Sequence, residues 1–140
     1  MVFKFGKASR RRMKGLHPKL IEFLEAAIKY TPIDFGIAWM GGFRTAEDQS
    51  ELFKKVPKVT TKDGYKRKSK HQSGLAVDLM PYVNGKSTPS KENYLFLAGA
   101  LFAIAQDMHI NLRWGGNWDM DEELLVDQGF NDLPHFEIIL

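Results

Sequence analysis

Apolar residues fall at helical spacing in HPKLIEFLEAAIKY (17–30), where Leu20, Phe23, Leu24, Ala27 and Ile28 line one side. That stripe predicts an amphipathic helix, with Pro18 suited to its first position and Thr31-Pro32 ending it. The period then changes. In DFGIAWM (34–40), Phe35, Ile37 and Trp39 alternate with Gly36, Ala38 and Met40, which predicts a strand broken by Gly41-Gly42. TAEDQSELFKK (45–55) predicts a second helix, with Thr45 as N-cap and Asp48 three residues on.

A basic, turn-rich loop follows at 54–70, with eight Lys/Arg and one acid. A strand is expected at about 75–80, within SKHQSGLAVDLMP. STPSKENYLFLAGALFAIAQDM (87–108) predicts a third helix, apolar nearly all round at its centre and therefore buried. Leu112-Arg113-Trp114 is a short strand candidate, and 115–132 reads as an acidic, glycine-containing loop with room for one helical turn. HFEIIL (135–140) closes as a strand, with His135, Glu137 and Ile139 on one face and Phe136, Ile138 and Leu140 on the other. Helices and strands do not alternate as regular βαβ units. The expected class is α+β, a small mainly antiparallel sheet with about three helices, in one domain over 1–140.

Composition narrows the chemistry. The chain has no cysteine, so disulfides and thiolate ligands are excluded, and a metal site must draw on His, Asp and Glu. The four histidines are His17, His71, His109 and His135. No apolar stretch is long enough to span a membrane, and the N-terminus lacks the pattern of a secretory signal. Cytoplasmic synthesis without stable membrane insertion is expected. Residues 1–70 hold 17 Lys/Arg against 7 Asp/Glu, and residues 71–140 hold 3 against 10. The basic half suits a polyanion, although a charge run is commonly just a solvated loop. No nucleic-acid motif or aromatic-interleaved platform accompanies it, so no nucleic-acid partner is expected.

One carboxylate is out of place. Asp78 interrupts the apolar run Leu75–Met80, where an unpaired buried charge is costly. Strand periodicity puts it on one face with Ala76 and Met80, and small Ala76 leaves room beside it. His71 lies seven residues earlier, across Ser73-Gly74, and His135 opens the last strand. If the two strands share a sheet, His71, Asp78 and His135 meet. Two histidines and one aspartate leave a position of a zinc ion open, the catalytic pattern, and also suit a non-haem iron site. Asp132, before Leu133-Pro134-His135, is a candidate proton acceptor for a metal-activated water. Arg44 is a candidate donor to an oxyanion or a substrate carboxylate. The plain alternatives are an ion pair of Asp78 with a lysine, an ordinary salt bridge at Arg44 and a loop role for Asp132. The acidic run Asp119-Met120-Asp121-Glu122-Glu123 is a further candidate for a second cation within 119–127, although its spacing is not that of an EF-hand.

The pattern S-x-H-x-x-G-x-A-x-D, here Ser69 to Asp78, followed by Asp132-Leu133-Pro134-His135, resembles the zinc D-Ala-D-Ala carboxypeptidase and L-alanyl-D-glutamate endopeptidase family. FGKASRRRMKGLHPKL, PIDFGI, FRTAEDQSELF, RWGGNWD and DLPHFEI are each similar to segments of phage endolysins with L-alanyl-D-glutamate peptidase activity. The resemblance implies a Hedgehog/DD-peptidase-like fold, Zn2+ held by His71, Asp78 and His135, and Asp132 as catalytic base. It implies that Arg44 stabilises the substrate or the tetrahedral intermediate. It places Ser69 and Trp114 near the substrate cleft. The implied substrate is the peptidoglycan stem peptide, cut by a monomeric endolysin that reaches the wall through holin lesions. A D,D-carboxypeptidase and a non-catalytic wall binder are the alternatives. Leu75 stands where many relatives carry histidine, Met40-Gly41-Gly42 is less typical, and the 54–70 loop is longer and more basic than expected.

Overall fold

The computed structural model describes residues 2–118, 120 and 131–140. Its elements are α1 (Lys7–Arg12), α2 (Pro18–Tyr30), β1 (Asp34–Ile37), α3 (Ala46–Phe53), a 3-10 turn (Lys70–Ser73), β2 (Ala76–Val83), β3 (Lys86–Ser87), α4 (Lys91–Asp107), β4 (Asn111–Trp114) and β5 (His135–Ile139). The strands form one antiparallel sheet in the order β1-β2-β5-β4, with β3 paired to β2. This is the expected α+β class.

Local sequence accounts for most boundaries. The Thr45 side chain accepts from the Asp48 N–H while Asp48 answers to the Thr45 N–H, so α3 starts with a full capping box. His17 caps α2, its Nδ1 accepting from the Lys19 N–H at 3.1 Å ahead of Pro18. The third helix starts at Lys91, later than its apolar pattern suggests, because Ser90 caps it and Ser87 pairs in β3. It is also buried on one side only: Tyr94, Leu97, Leu101 and Ala105 are covered, whereas Phe96 is exposed. The β2–β3 hairpin turns at Asn84-Gly85, both at positive φ (52° and 77°), the backbone of a two-residue hairpin loop.

Two further departures bear on the site. β1 ends at Ile37 because residues 38–42 leave the ladder and fold against Asp78: Ala38 N–H donates to the Asp78 carbonyl at 2.9 Å and Asp78 N–H to the Gly41 carbonyl at 2.7 Å. Met40 takes φ 56° in that turn. A Cβ on Gly41 would stand 2.8 Å from the Asp78 carbonyl oxygen, so only glycine permits the approach. The basic segment KASRRR also folds as α1, packed on β1. Ser9 Oγ accepts from the Ile37 N–H at 3.0 Å and Arg12 donates to the Ile37 carbonyl at 2.9 Å, which satisfies this sheet edge.

The sheet has one face for packing and one for chemistry. Val77, Leu79, Phe136, Ile138, Leu112 and Trp114 lie in the core with α2 and α4. Asp78, His135, Glu137 and Arg113 occupy the alternate positions, with Asp78 opposite His135, Ala76 opposite Glu137 and Arg113 opposite Glu137.

Candidate metal centre

Register places two of the three proposed ligands directly across from each other on β2 and β5. The third, His71, comes from the 3-10 turn. Ser69 starts that turn by accepting from the His71 N–H, and Gln72 returns a bond to Ser69 N–H. Gly74 ends it at φ +74°, where a Cβ would meet His17 N at 2.8 Å and the Gly15 carbonyl at 2.9 Å. The chain thus reverses into β2 with His71 over Asp78. One ligand atom from each of His71, Asp78 and His135 lies within 4.8 Å of the others.

The ring orientations are fixed from behind. His71 Nδ1 is 3.0 Å from the Gly42 carbonyl, so it carries the proton and leaves Nε2 facing Asp78. His135 Nε2 is 2.8 Å from Glu137 Oε1, which leaves His135 Nδ1 facing Asp78. Asp78 Oδ1 sits 3.5 Å from His71 Nε2 and 3.6 Å from His135 Nδ1, too far for good hydrogen bonds, and is a buried oxygen with no hydrogen-bond partner. An orphaned carboxylate oxygen between two imidazole lone pairs fits a divalent cation in its donor chemistry.

The other carboxylate oxygen is accounted for. Arg44 donates to Asp78 Oδ2 at 2.9 Å, to the Met40 carbonyl at 2.7 Å and to Gln49 Oε1 at 3.1 Å. Asp78 therefore pairs with an arginine, not a lysine. Burial pushes the Asp78 carboxyl up, but the imidazoles of His135 and His71 outweigh it and hold the group well below the carboxylate range. For His135, burial favours the neutral ring, yet Asp78 and Glu137 prevail and its pKa is raised to about 9.

Asp132 precedes β5, half-buried and in electrostatic interaction with His71, Asp78, His135 and Arg44. A turn closes from the His135 N–H to the Asp132 carbonyl at 3.1 Å, and the Asp132 N–H donates to the Gly115 carbonyl at 2.9 Å. Burial, then the charge of Asp78, pushes its carboxyl above the ordinary value against the pull of His135, His71 and Arg44. Trp114 lies on the core face, 1% exposed, stacked on Phe136 and donating its indole N–H to the Leu133 carbonyl at 2.7 Å. It supports the 132–135 turn from beneath and does not line an open cleft. Ser69 is the cap described above. His17 caps α2, and His109 follows α4 at φ 58°. Of the acidic 119–127 run, only Met120 lies within the described residues.

Three neighbours of the site were not among its sequence candidates. Glu137 is buried, and its only advance signal was its place on the His135 face of the last strand. Trp118 meets the His135 ring in a tilted contact at 5.2 Å, the Arg113 guanidinium lies 5.2 Å from the centre of the Trp118 ring, and no periodic signal marks it. Gln49 appeared only as a polar helix residue, yet it is fully buried.

The His71, Asp78 and His135 side chains on a small antiparallel sheet form a group that could hold a metal ion. A family model described as phage L-alanyl-D-glutamate peptidase matches residues 1–139, and the chain belongs to that family. It is 30% identical to the L-alanyl-D-glutamate peptidase of Escherichia phage T5 over 142 residues, covering 99% of this chain and 100% of that one. The crystal structure of Serratia marcescens L-Ala D-Glu endopeptidase ChiX shares the fold with a TM-score of 0.74 at 25% identity, covering 97% of this chain and 90% of that one.

Proposed function

We propose that the chain is a zinc-dependent endolysin that hydrolyses the L-Ala–D-Glu bond of the peptidoglycan stem peptide. The observation that carries the metal assignment is Asp78 Oδ1, buried without a hydrogen bond between His71 Nε2 and His135 Nδ1. The family membership and the T5 and Serratia relatives support the bond and the substrate. Zinc held by the three side chains supplies Lewis acidity and lowers the pKa of water toward ~7.

The chain's own groups do the rest. Asp132 accepts the proton of the attacking water and returns it to the leaving amine of D-Glu. Burial and the charge of Asp78 raise its pKa, which makes it a stronger base than an ordinary aspartate. Glu137 and the Gly42 carbonyl hold the two imidazoles in the tautomers that present a lone pair to the site. Arg44 serves first as the counter-ion that fixes Asp78. The enzyme acts as a monomer on wall exposed after holin-type release. No helix among the described residues is long and apolar enough to cross a membrane, which accords with release by another protein.

The test is bound zinc and muropeptide cleavage, measured side by side for the natural chain and Asp132→Asn. Stoichiometric zinc in both, with cleavage between L-Ala and D-Glu only in the natural chain, is expected. Retained cleavage in the variant defeats Asp132 as base. Stems shortened only by terminal D-Ala turn the reading to a D,D-carboxypeptidase.

A further inference from the structure

Gln49 is a polar side chain with no access to solvent, one turn into α3. Both ends of its amide are engaged. Its Oε1 accepts from Arg44 at 3.1 Å. Its Nε2 donates to the Lys62 carbonyl at 3.0 Å and meets Thr60 Oγ1 at 3.3 Å. Lys62 and Thr60 belong to the basic loop, whose role the sequence leaves open. Loop and helix are in close contact nearby: a Cβ on Gly64, at φ +93°, would stand 2.7 Å from the Ala46 carbonyl and 3.1 Å from Gln49 Cβ. On the other side, Gln72 Nε2 donates to the Gly64 carbonyl at 2.9 Å, next in sequence to His71.

A continuous hydrogen-bonded path therefore runs from loop backbone through Gln49 and Arg44 to Asp78 Oδ2. With its acceptor and donor both committed inside the protein, Gln49 is placed to act through Arg44. A guanidinium fixed by a neutral amide on one side can aim its remaining charge at Asp78, and outer partners of this kind orient a ligating carboxylate. The loop's one acid supports a built loop: Asp63 Oδ1 accepts from the N–H groups of Tyr65 and Arg67, both at 2.9 Å.

We propose that Gln49 is a positioning residue that anchors the 54–70 loop with the donor end of its amide and, with the acceptor end, holds Arg44 and so the aim of Asp78 and metal affinity. This rests on the metal-centre reading above. The two ends of the amide have separable consequences. Gln49→Ala removes both. Gln49→Glu keeps an acceptor for Arg44 and removes the donor to the loop.

The experiment measures zinc affinity by chelator competition and, on the metal-free protein, the rate of trypsin cleavage in the Lys/Arg-rich loop. For Gln49→Ala, zinc binding about 10-fold weaker or more and faster loop cleavage are expected, since outer-shell changes cost ~10–100-fold. For Gln49→Glu, zinc binding within about threefold of the natural chain with faster loop cleavage is expected. A folded Gln49→Ala that binds zinc like the natural chain overturns the proposal. If Gln49→Ala does not fold, Gln49→Glu decides: an unchanged loop-cleavage rate overturns it. Failure of the natural chain to bind zinc instead removes the metal-centre reading beneath it.

Discussion

Glu137 Oε1 lies 2.8 Å from His135 Nε2, on the same strand two residues on. That pairing decides which nitrogen of His135 faces Asp78. Burial raises the Glu137 carboxyl, and His135 followed by Arg113 brings it back below its ordinary value, so it remains an acceptor. Glu137→Gln is expected to weaken zinc binding by about 10-fold or more, because an amide can present a donor to Nε2 and favour the wrong tautomer. Chelator competition measures the loss. Unchanged affinity rules out the orienting role.

Asp78→Ala removes a proposed ligand and also strands Arg44, whose side chain is 11% exposed against 20% for Asp78. The loss in zinc affinity is expected to exceed the ~10–100-fold of an outer-shell change. The metal-free variant is expected to be less stable by about 3 kcal/mol, the scale for breaking a buried pair by deleting one partner. Urea denaturation in the presence of chelator checks the second number. No change in the midpoint means that Arg44 finds another partner.

The metal-free protein has a pH signature. His135 is raised from 6.5 to about 9, so its stabilising contribution is complete below pH 6.5 and lost as pH rises through 9. The melting temperature of the chelated protein is expected to fall across that window. Ligation needs the neutral ring, so zinc displaces this proton near pH 7 and its apparent affinity climbs toward pH 9. Calorimetry in buffers of different ionisation enthalpy reads the released proton. Zinc uptake without proton release contradicts the raised pKa.

Gly115 sits where any side chain would overlap the Asp132 carbonyl oxygen, and its N–H donates to the His135 carbonyl at 2.8 Å. Gly115→Ala is expected to push the 132–135 turn outward. A displacement of about 1 Å at the proton acceptor can cost ~10²-fold in rate. The fall in kcat is expected to exceed the fall in zinc affinity. Equal losses would mean that the substitution moves His135 as much as Asp132.

Much of this was legible in the sequence, for physical reasons that differ by element. The Thr45 cap, the α2 stripe and strand alternation around Asp78 and His135 are local signals, and the ligand cluster followed from them once β2 and β5 were taken as neighbours. The short helix α1 was not legible, because six basic and small residues are held by packing on β1 through Ser9 and Arg12. Asn84-Gly85 carries a hairpin signal in the stretch between the strand expected at about 75–80 and the helix expected at 87–108. Gln49 and the Arg44–Asp78 pair depend on partners up to 34 residues away, and no periodicity reports those.

The three proposed ligands join the segment 71–78 to a strand beginning at 135, so the site exists only when β5 has docked on β2. A cation bound there prefers the native chain over the unfolded one and shifts that equilibrium by mass action. At free zinc about 100-fold above its Kd, the linkage adds about 2.7 kcal/mol to the stability of the native state. On the proposed assignment, metal supply then governs lifetime as well as turnover: a zinc-starved copy is expected to be chemically silent and also easier for proteases to open.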